Sequence, residues 1–593
     1  MQSSLKIGGA CGFWGESPHA TGQLLTVPGL SVLVYDYLAE ITMSIMARAR
    51  LKDATAGYAR DFVTEVMVPN LDQISARGVK VLSNAGGVNP RACAAALRDV
   101  IAERGLDLKV AVVEGDDLLP RATEFADERE MFSGAAFPPG DRIASMNAYL
   151  GAGPVAAALD AGADIVITGR CADSALTLAV CVHHFGWSWE DYDLLASGSL
   201  AGHLLECGPQ ATGGNFTDWE RAGDIATIGY PVVEIAPDGC MSVTKPHGTS
   251  GEVNRFTIAE QMVYEIGDPR AYLLPDVICD FADVEIEEDG PDHVIVRGAK
   301  GRAPSGMLKV STTWMDGYRA GMVLQFNGRA AREKARVYAQ AALDRASGRL
   351  ASLGAPDYRE TLFETFGGAP GAGQYEEITL KAAVRHDDPR AVGIFLKELI
   401  GAALATPPGL HFFTGGGRPK PSPVVALFSF LVAGNEVVPS VELDGKPVTC
   451  SIRMPEPGSK SAHQDTGPVP DAPKPLGKDA GHAVPLEQVA VARAGDKGDK
   501  ANIGVIARNP AYLPYIWAAL TPDEVAACFA GELKGEVERF YLPGCGGMNL
   551  LLHEVLGGGG VASLRNDAQG KGFAQRLLQF PVTLPSNLLP NRP

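Results

Sequence analysis

Strand-like and helix-like segments alternate through the first 200 residues, and that rhythm restricts the folds open to this chain. Leu5–Ala10, Ser31–Tyr35, Val79–Ser83, Lys109–Glu114 and Asp164–Thr168 are short, apolar and rich in β-branched residues. Helical patterns lie between them at Thr42–Leu51, Tyr58–Ala76, Pro90–Glu103 and Pro154–Ala161. Such alternation predicts an α/β fold with a mostly parallel sheet and helices on its faces. Ligands of such sheets bind outside the carboxyl ends of the strands. Here those ends run into polar or glycine-rich text: Gly8–Ser17, Asn84–Pro90, Glu114–Asp117 and Gly169–Asp173.

From roughly 225 to 330 the period changes. Ile228–Ile235, Val284–Ile286, His293–Val296, Leu308–Trp314 and Met322–Phe326 alternate and are separated by turns, which predicts an antiparallel elaboration. Ala330–Ala346 and Asp388–Ala405 read as helices, and Val441–Arg453 as a hairpin around Asp444-Gly445. The stretch 455–483 is rich in Pro, Gly, Ser, Lys and Asp and poor in aliphatic residues, which is linker composition. The expected division is therefore 1–454, with a β-rich portion at 225–330, a linker at 455–483, and an α+β module at 484–593. In that module Glu487–Arg493, Asn502–Ala507 and Val537–Tyr541 read as strands. Tyr512–Leu520, Asp523–Ala530 and Met548–Leu556 read as helices.

At 593 residues the chain is long enough for more than one domain. The formal net charge of −18 argues against nucleic acid, whose phosphates need a basic face. An anionic small molecule can still bind a local cluster of cations. The opening Met1-Gln-Ser-Ser-Leu-Lys has no apolar core of signal-peptide length, and Val424–Ala433 is too short to cross a bilayer. Ten scattered cysteines, none in a Cys-x-x-Cys pair, fit reduced thiols. A cytoplasmic protein that does not engage a membrane is expected, as a homo-oligomer.

Five stretches are candidates for chemistry. The loop Gly8–Ser17 offers Gly12, Glu16 and Ser17, but it matches neither the dinucleotide nor the Walker spacing. It reads as a tight turn or as a ligand loop. Arg170 and Asp173 follow an apolar strand, either as an ion pair fixing the loop or as a site for a carboxylate or phosphate. Glu206-Cys207, followed by Gln210 and Thr212 among glycines, can supply a proton carrier and oxyanion donors. His203 stands three residues before Glu206, one helical turn away. Lys245 lies in a Gly/Pro loop that also holds His247. Arg493, Asp496, Lys497 and Asn502 crowd one short span, which reads as a solvated turn or as an anion site. No histidine spacing supports a catalytic zinc.

These stretches resemble a known family. Gly8–Ser17, Asp36-Tyr-Leu-Ala-Glu40, Asn84–Pro90, Glu206–Gly214 and Thr244–Thr249 look like the large domain of the acyclic terpene utilisation AtuA family. Arg493–Gly504 looks like that family's C-terminal module. The resemblance implies a ferredoxin-like fold for residues 484–593 and a role in the catabolism of branched acyl-CoA thioesters, such as those from citronellol and geraniol. With no other signature present, the expectation is a lyase or hydratase acting on a CoA thioester. Coenzyme A would be part of the substrate, and no separate cofactor or metal is expected. Glu206 is the first choice for proton transfer, with Cys207 and Glu16 beside it. Gly12, Ser17, Asn84, Arg170, Asp173, Gln210, Thr212, Lys245, Arg493, Asp496, Lys497 and Asn502 are candidate ligand contacts. Two alternatives stay open: a non-catalytic acyl-CoA-binding or scaffold protein, and a thioesterase or transferase acting through Cys207.

Overall fold

A computed structural model describes residues 4–368, 376–412, 419–449, 452–455, 468–474 and 481–590. Most of the expected linker, 455–483, lies outside the described residues. The chain forms two compact units. The first holds Met1–Thr313, Leu427–Val555 and Gly570–Pro593, and the second holds Trp314–Ala426 and Leu556–Gln569.

The first unit is built on one large sheet. Its centre is five parallel strands in the spatial order Leu5–Gly9, Val32–Tyr35, Lys80–Ser83, Ile165–Thr168, Val110–Glu114. Val32–Tyr35 and Ile165–Thr168 are buried along their whole length. Strands covered on both faces need apolar residues at every position, which is why these segments read as continuous runs. Phe62, Met67, Leu71 and Ile74 pack in the hydrophobic cluster with Leu33 and Tyr35 of the second strand, and the Tyr35 and Phe62 rings meet edge to face.

The β-rich region extends this same sheet. Val232–Ile235 pairs antiparallel with the first strand, and Met241–Thr244, Val294–Arg297 and Glu285–Glu288 follow outward. On the other side Ser440–Leu443 pairs with Val110–Glu114 and turns through Asp444-Gly445 into Lys446–Pro447. Asp444 and Gly445 both have positive φ, as a two-residue hairpin turn requires.

In the second unit Glu360–Phe366 and Glu377–His386 pair antiparallel, and Glu377–His386 pairs with Tyr318–Asn327. Helices Ala331–Ser352 and Pro389–Gly401 pack against that sheet through Tyr338, Ala342, Phe395 and Leu399. Leu308–Trp314 and Met322–Phe326, expected as separate strands, belong to one strand, Met307–Asn327. The residues between them stay extended because Tyr318–Gly321 pair with Ala383–His386.

The C-terminal module is a four-stranded antiparallel sheet in the order Ala490–Lys497, Lys500–Ala507, Gly547–Leu552, Val537–Leu542, with helices Leu513–Ala519 and Pro522–Cys528 between the two hairpins. Met548–Leu556 was expected to be helical and is not: Gly547–Leu552 is a central strand, buried at every residue and paired on both sides. Leu and Met favour helix in isolation, but ladder bonds on two sides and burial on two faces decide otherwise here. Pro543, Gly544, Cys545 and Gly546 therefore form a strand-to-strand turn. The charged span is also more regular than expected. The strands run to Lys497 and resume at Lys500, leaving Gly498-Asp499 as the turn, with Gly498 at φ +67°.

Candidate functional site

Helix Tyr192–Leu205 is the element that positions the site. It is nearly all apolar or small, and it is buried from Leu195 to Leu205. Gly202 allows close packing, because a Cβ there would stand 2.7 Å from Ser174 Cα, at the start of helix Ala175–Phe185. The chain leaves this helix at Glu206, beside the carboxyl end of the first parallel strand. A Cβ on Gly9 would stand 2.5 Å from the Leu205 carbonyl oxygen, and one on Gly12 would stand 2.8 Å from that of Glu206. These glycines are needed for backbone approach.

Residues three apart share a helix face, so His203 meets Glu206. His203 Nδ1 lies 2.8 Å from Glu206 Oε1, and His203 Nε2 lies 3.1 Å from the Met262 carbonyl oxygen. The Glu206 side chain is 10% exposed and that of His203 is 1% exposed. Glu206 Oε2 is buried and has no hydrogen-bond partner among the described residues. Burial pushes the Glu206 carboxyl up; His203 and Lys497 oppose the rise and Asp173 adds to it.

The strand-end loops hold further charge. Arg170 is buried; its Nη1 donates to Asp173 Oδ1 at 2.7 Å and to the Cys171 carbonyl at 2.9 Å, and its guanidinium stacks 4.1 Å from the Tyr149 ring centre. Asn84 is fully buried; its amide donates to Asp36 Oδ1 at 2.6 Å and its oxygen accepts from Tyr37 N at 2.7 Å. Asn84 therefore fixes the loop that presents Asp36. Burial raises the Asp36 carboxyl well above its usual range; Asp173 adds to this and Arg170 opposes it.

The C-terminal module meets this region in two ways. Arg493 and Asn502 are anchors. Arg493 is buried and donates to Glu260 Oε2 at 3.1 Å, to the Gly214 carbonyl at 3.0 Å, and to Gln210 Oε1. Asn502 accepts from Glu265 N at 2.9 Å and donates to the Val263 carbonyl at 2.6 Å. At the other end of the same hairpin, Lys497 is exposed, with its ammonium 5.7 Å from the Tyr272 ring centre. The His203 ring lies 5.5 Å from that same tyrosine. Lys571 bonds Glu265 at 2.8 Å and Asp496 at 3.1 Å. Burial and Glu265 push Asp496 up to about 6 against the pull of Lys571.

The structure thus brings Glu206, Cys207, Asp173 and Lys497 together, and engages the other candidates as follows. Glu16 accepts from Gly12 N and from Tyr230 Oη, both at 2.6 Å, which ties the first loop. Gly12 gives its N–H to that bond. Ser17 is exposed. Cys207 stays a thiol, because burial, Glu206 and Glu265 all raise its pKa well above normal. Thr212 Oγ1 reaches the carbonyls of Pro209 and Gly229 at 3.0 and 2.5 Å. Lys245 pairs with Asp292 at 3.0 Å and donates to the Thr249 carbonyl. His203, Asp36 and Tyr272 were not among the candidate contacts. The three-residue spacing signals His203, and a strand-end position signals Asp36. Tyr272 and Lys571 have no local signal.

A cavity of about 370 Å³ lies elsewhere, at the start of helix Arg255–Val263, lined by Arg255, Pro473, Leu513, Tyr541 and Cys545 among others. Among the described residues no cluster of His, Cys, Asp and Glu is arranged to hold a metal ion, and no helix is long and apolar enough to cross a membrane.

No curated protein and no solved structure matches the chain. Two family models do. Residues 484–583 match the AtuA ferredoxin-like domain, and residues 5–443 match the acyclic terpene utilisation family protein AtuA. The second match covers most of the chain, including every strand-end loop described above and Glu206 itself. This chain belongs to the acyclic terpene utilisation AtuA family.

Proposed function

We propose that the protein catalyses a proton-transfer step on a branched or terpenoid acyl-CoA thioester, as a lyase or hydratase, with Glu206 as the general base. The observation that carries this reading is the state of Glu206. One carboxyl oxygen is held by a buried imidazole, and the other is buried without a partner. A buried acceptor left empty costs roughly 1–3 kcal/mol or more. Such a group calls for a reason, and a catalytic role in which a ligand supplies the missing donor or proton is one. Burial raises the Glu206 pKa above the usual carboxylate range, which makes it a stronger base than a solvated glutamate.

In the proposed step the α-C–H bond breaks and an O–H bond forms at Oε2. The electron pair moves into the thioester, leaving an enolate oxygen. Glu206 then returns that proton to the β-hydroxyl as its C–O bond breaks, which gives the enoyl thioester and water, and the reverse direction is hydration. The Lys497 ammonium acts on Glu206 and forms no ion pair within 4 Å among the described residues, and it is assigned to the enolate oxygen. Glu206 is shielded in this state, so entry is assigned to displacement of the exposed Lys497 side chain. The raised thiol pKa of Cys207 weighs against the thioesterase alternative.

The test is α-proton exchange in deuterated water. Wild-type protein should exchange the α-proton of a branched acyl-CoA, and Glu206→Gln should not. No exchange with any of several saturated, hydroxylated and unsaturated acyl-CoAs, together with no thermal shift on adding them, would remove the thioester reading.

A further inference from the structure

We infer that His203 and Glu206 form a dyad holding one shared proton, in which His203 is a positioning residue that keeps the free oxygen of Glu206 ready to accept a second. This deepens the reading of Glu206 as a general base and rests on it for its use, but not for its geometry.

The argument starts from what each partner can do. The Met262 carbonyl only accepts, so His203 Nε2, 3.1 Å away, carries a hydrogen. A neutral ring protonated at Nε2 presents a lone pair at Nδ1. Glu206 Oε1 faces that lone pair at 2.8 Å. Two bare acceptors do not sit at that distance, so one proton lies between them. The pair is either imidazolium with carboxylate or imidazole with carboxylic acid, and both are neutral overall. The ring is held at both nitrogens, by Glu206 and the Met262 carbonyl, and the Tyr272 ring packs against it at 5.5 Å, tilted by 55°.

The surroundings give the shared proton its purpose. Asp36 and Asp173 reach Glu206 from two strand-end loops, Cys207 is its chain neighbour, Tyr272 covers the imidazole, and Lys497 arrives from the C-terminal hairpin. Asp173 opposes an ionised Glu206. Without the proton on His203, a buried carboxyl in acidic company would stay protonated and could not act as a base. With it, Oε1 is neutralised from behind while Oε2 remains open. During the step the α-proton joins Oε2 and the shared proton stays between Oε1 and Nδ1. The dyad passes from neutral to a single positive charge and returns when the proton is given to product.

The test needs no substrate. In the full chain, the carboxyl absorption that Glu206→Gln removes is followed by difference infrared titration. His203→Gln should raise its ionisation midpoint by about one pH unit or more. An unchanged midpoint would overturn the dyad. Because a core histidine variant can fail to fold, the wild-type ring is read as well. Nitrogen-15 spectra of histidine-labelled protein should show a His203 ring protonated at Nε2, its Nδ1 signal moving in Glu206→Gln. A ring protonated at Nδ1 alone would overturn the proposal. If both results hold while no acyl-CoA exchanges its α-proton, the dyad stands and the thioester reading falls.

Discussion

Glu206 and Glu260 are both buried carboxylates paired with a basic side chain, and they differ in what is left over. Glu260 is saturated. One oxygen accepts from Thr217 N and Oγ1, at 3.3 and 2.6 Å, and the other accepts from two guanidinium nitrogens of Arg493. Glu206 has one oxygen on His203 and, among the described residues, no hydrogen-bond partner on the other. A planar, permanently charged guanidinium matches a carboxylate with parallel donors. An imidazole offers one donor and can give its proton up. The first arrangement suits an anchor between the C-terminal module and helix Arg255–Val263, and the second suits chemistry.

The largest effect should come from breaking the saturated pair. Arg493→Ala leaves Glu260, which is 0% exposed, as an unpaired buried charge. Chemical denaturation should show a loss of about 3–5 kcal/mol. A loss below about 1 kcal/mol would show that the module is held mainly by other contacts, such as Asn502 and Asn549.

A third buried carboxylate sharpens the contrast, because it has no cation in its hydrogen bonds. Asp116 accepts from Arg170 N and from the Asn147 amide, both at 2.8 Å, and burial pushes it up to about 7. The folded protein therefore binds this proton up to about pH 7, whereas an unfolded aspartate releases it near pH 4. Stability from this group is present below about pH 4 and is lost as pH rises through about 7, on the order of 4 kcal/mol in all. Asp116→Asn should flatten that part of the stability profile. Asp276 and Asp496, both raised to about 6 by burial, each contribute a dependence of the same sign over the narrower window from about pH 4 to 6, which the variant keeps. An unaltered profile in Asp116→Asn would place the titration elsewhere.

Glu206→Gln probes the unsaturated carboxylate directly. Its melting temperature should stay close to wild type, because the amide NH2 can donate to Nδ1 of the imidazole, and Oε2 has no hydrogen-bond partner among the described residues to lose. Proton exchange on an acyl-CoA should fall at least about a hundredfold, or about 2.7 kcal/mol. A variant that loses stability instead of exchange would make Glu206 a second anchor.

The parallel strands were legible because each is a short apolar run bounded by polar text, so local sequence carries the signal. Met548–Leu556 was misread because its strand state is set by partners near 503 and 540. Glu206 was legible as a candidate, and His203 could be seen one turn before it. What sequence could not convey was which polar groups are already occupied. Arg493 and Lys497 lie four residues apart on one strand, yet one is buried among three acceptors and the other is exposed beside Tyr272. That difference depends on Glu260, Gln210 and Gly214, which are remote along the chain.

Lys497 gives the smallest and most discriminating prediction. It is exposed, so Lys497→Ala should change stability by no more than about 0.5 kcal/mol. Its charge nevertheless helps to hold both Glu206 and Glu265 toward the ionised form, although burial is the larger influence on each. Removing it should raise the midpoint of the Glu206-dependent pH profile, since a carboxyl that loses a nearby cation ionises less readily. Binding of an acyl-CoA should weaken by roughly three- to tenfold, about 1 kcal/mol, because an exposed cation is screened by solvent. The same screening supplies the control: wild type should lose affinity with added salt more steeply than the variant. Equal affinities, equal salt dependence and an unmoved pH midpoint would reduce Lys497 to a turn residue. The C-terminal module would then contact the site only through its anchors, and the contrast between the two ends of its hairpin would be one of exposure alone.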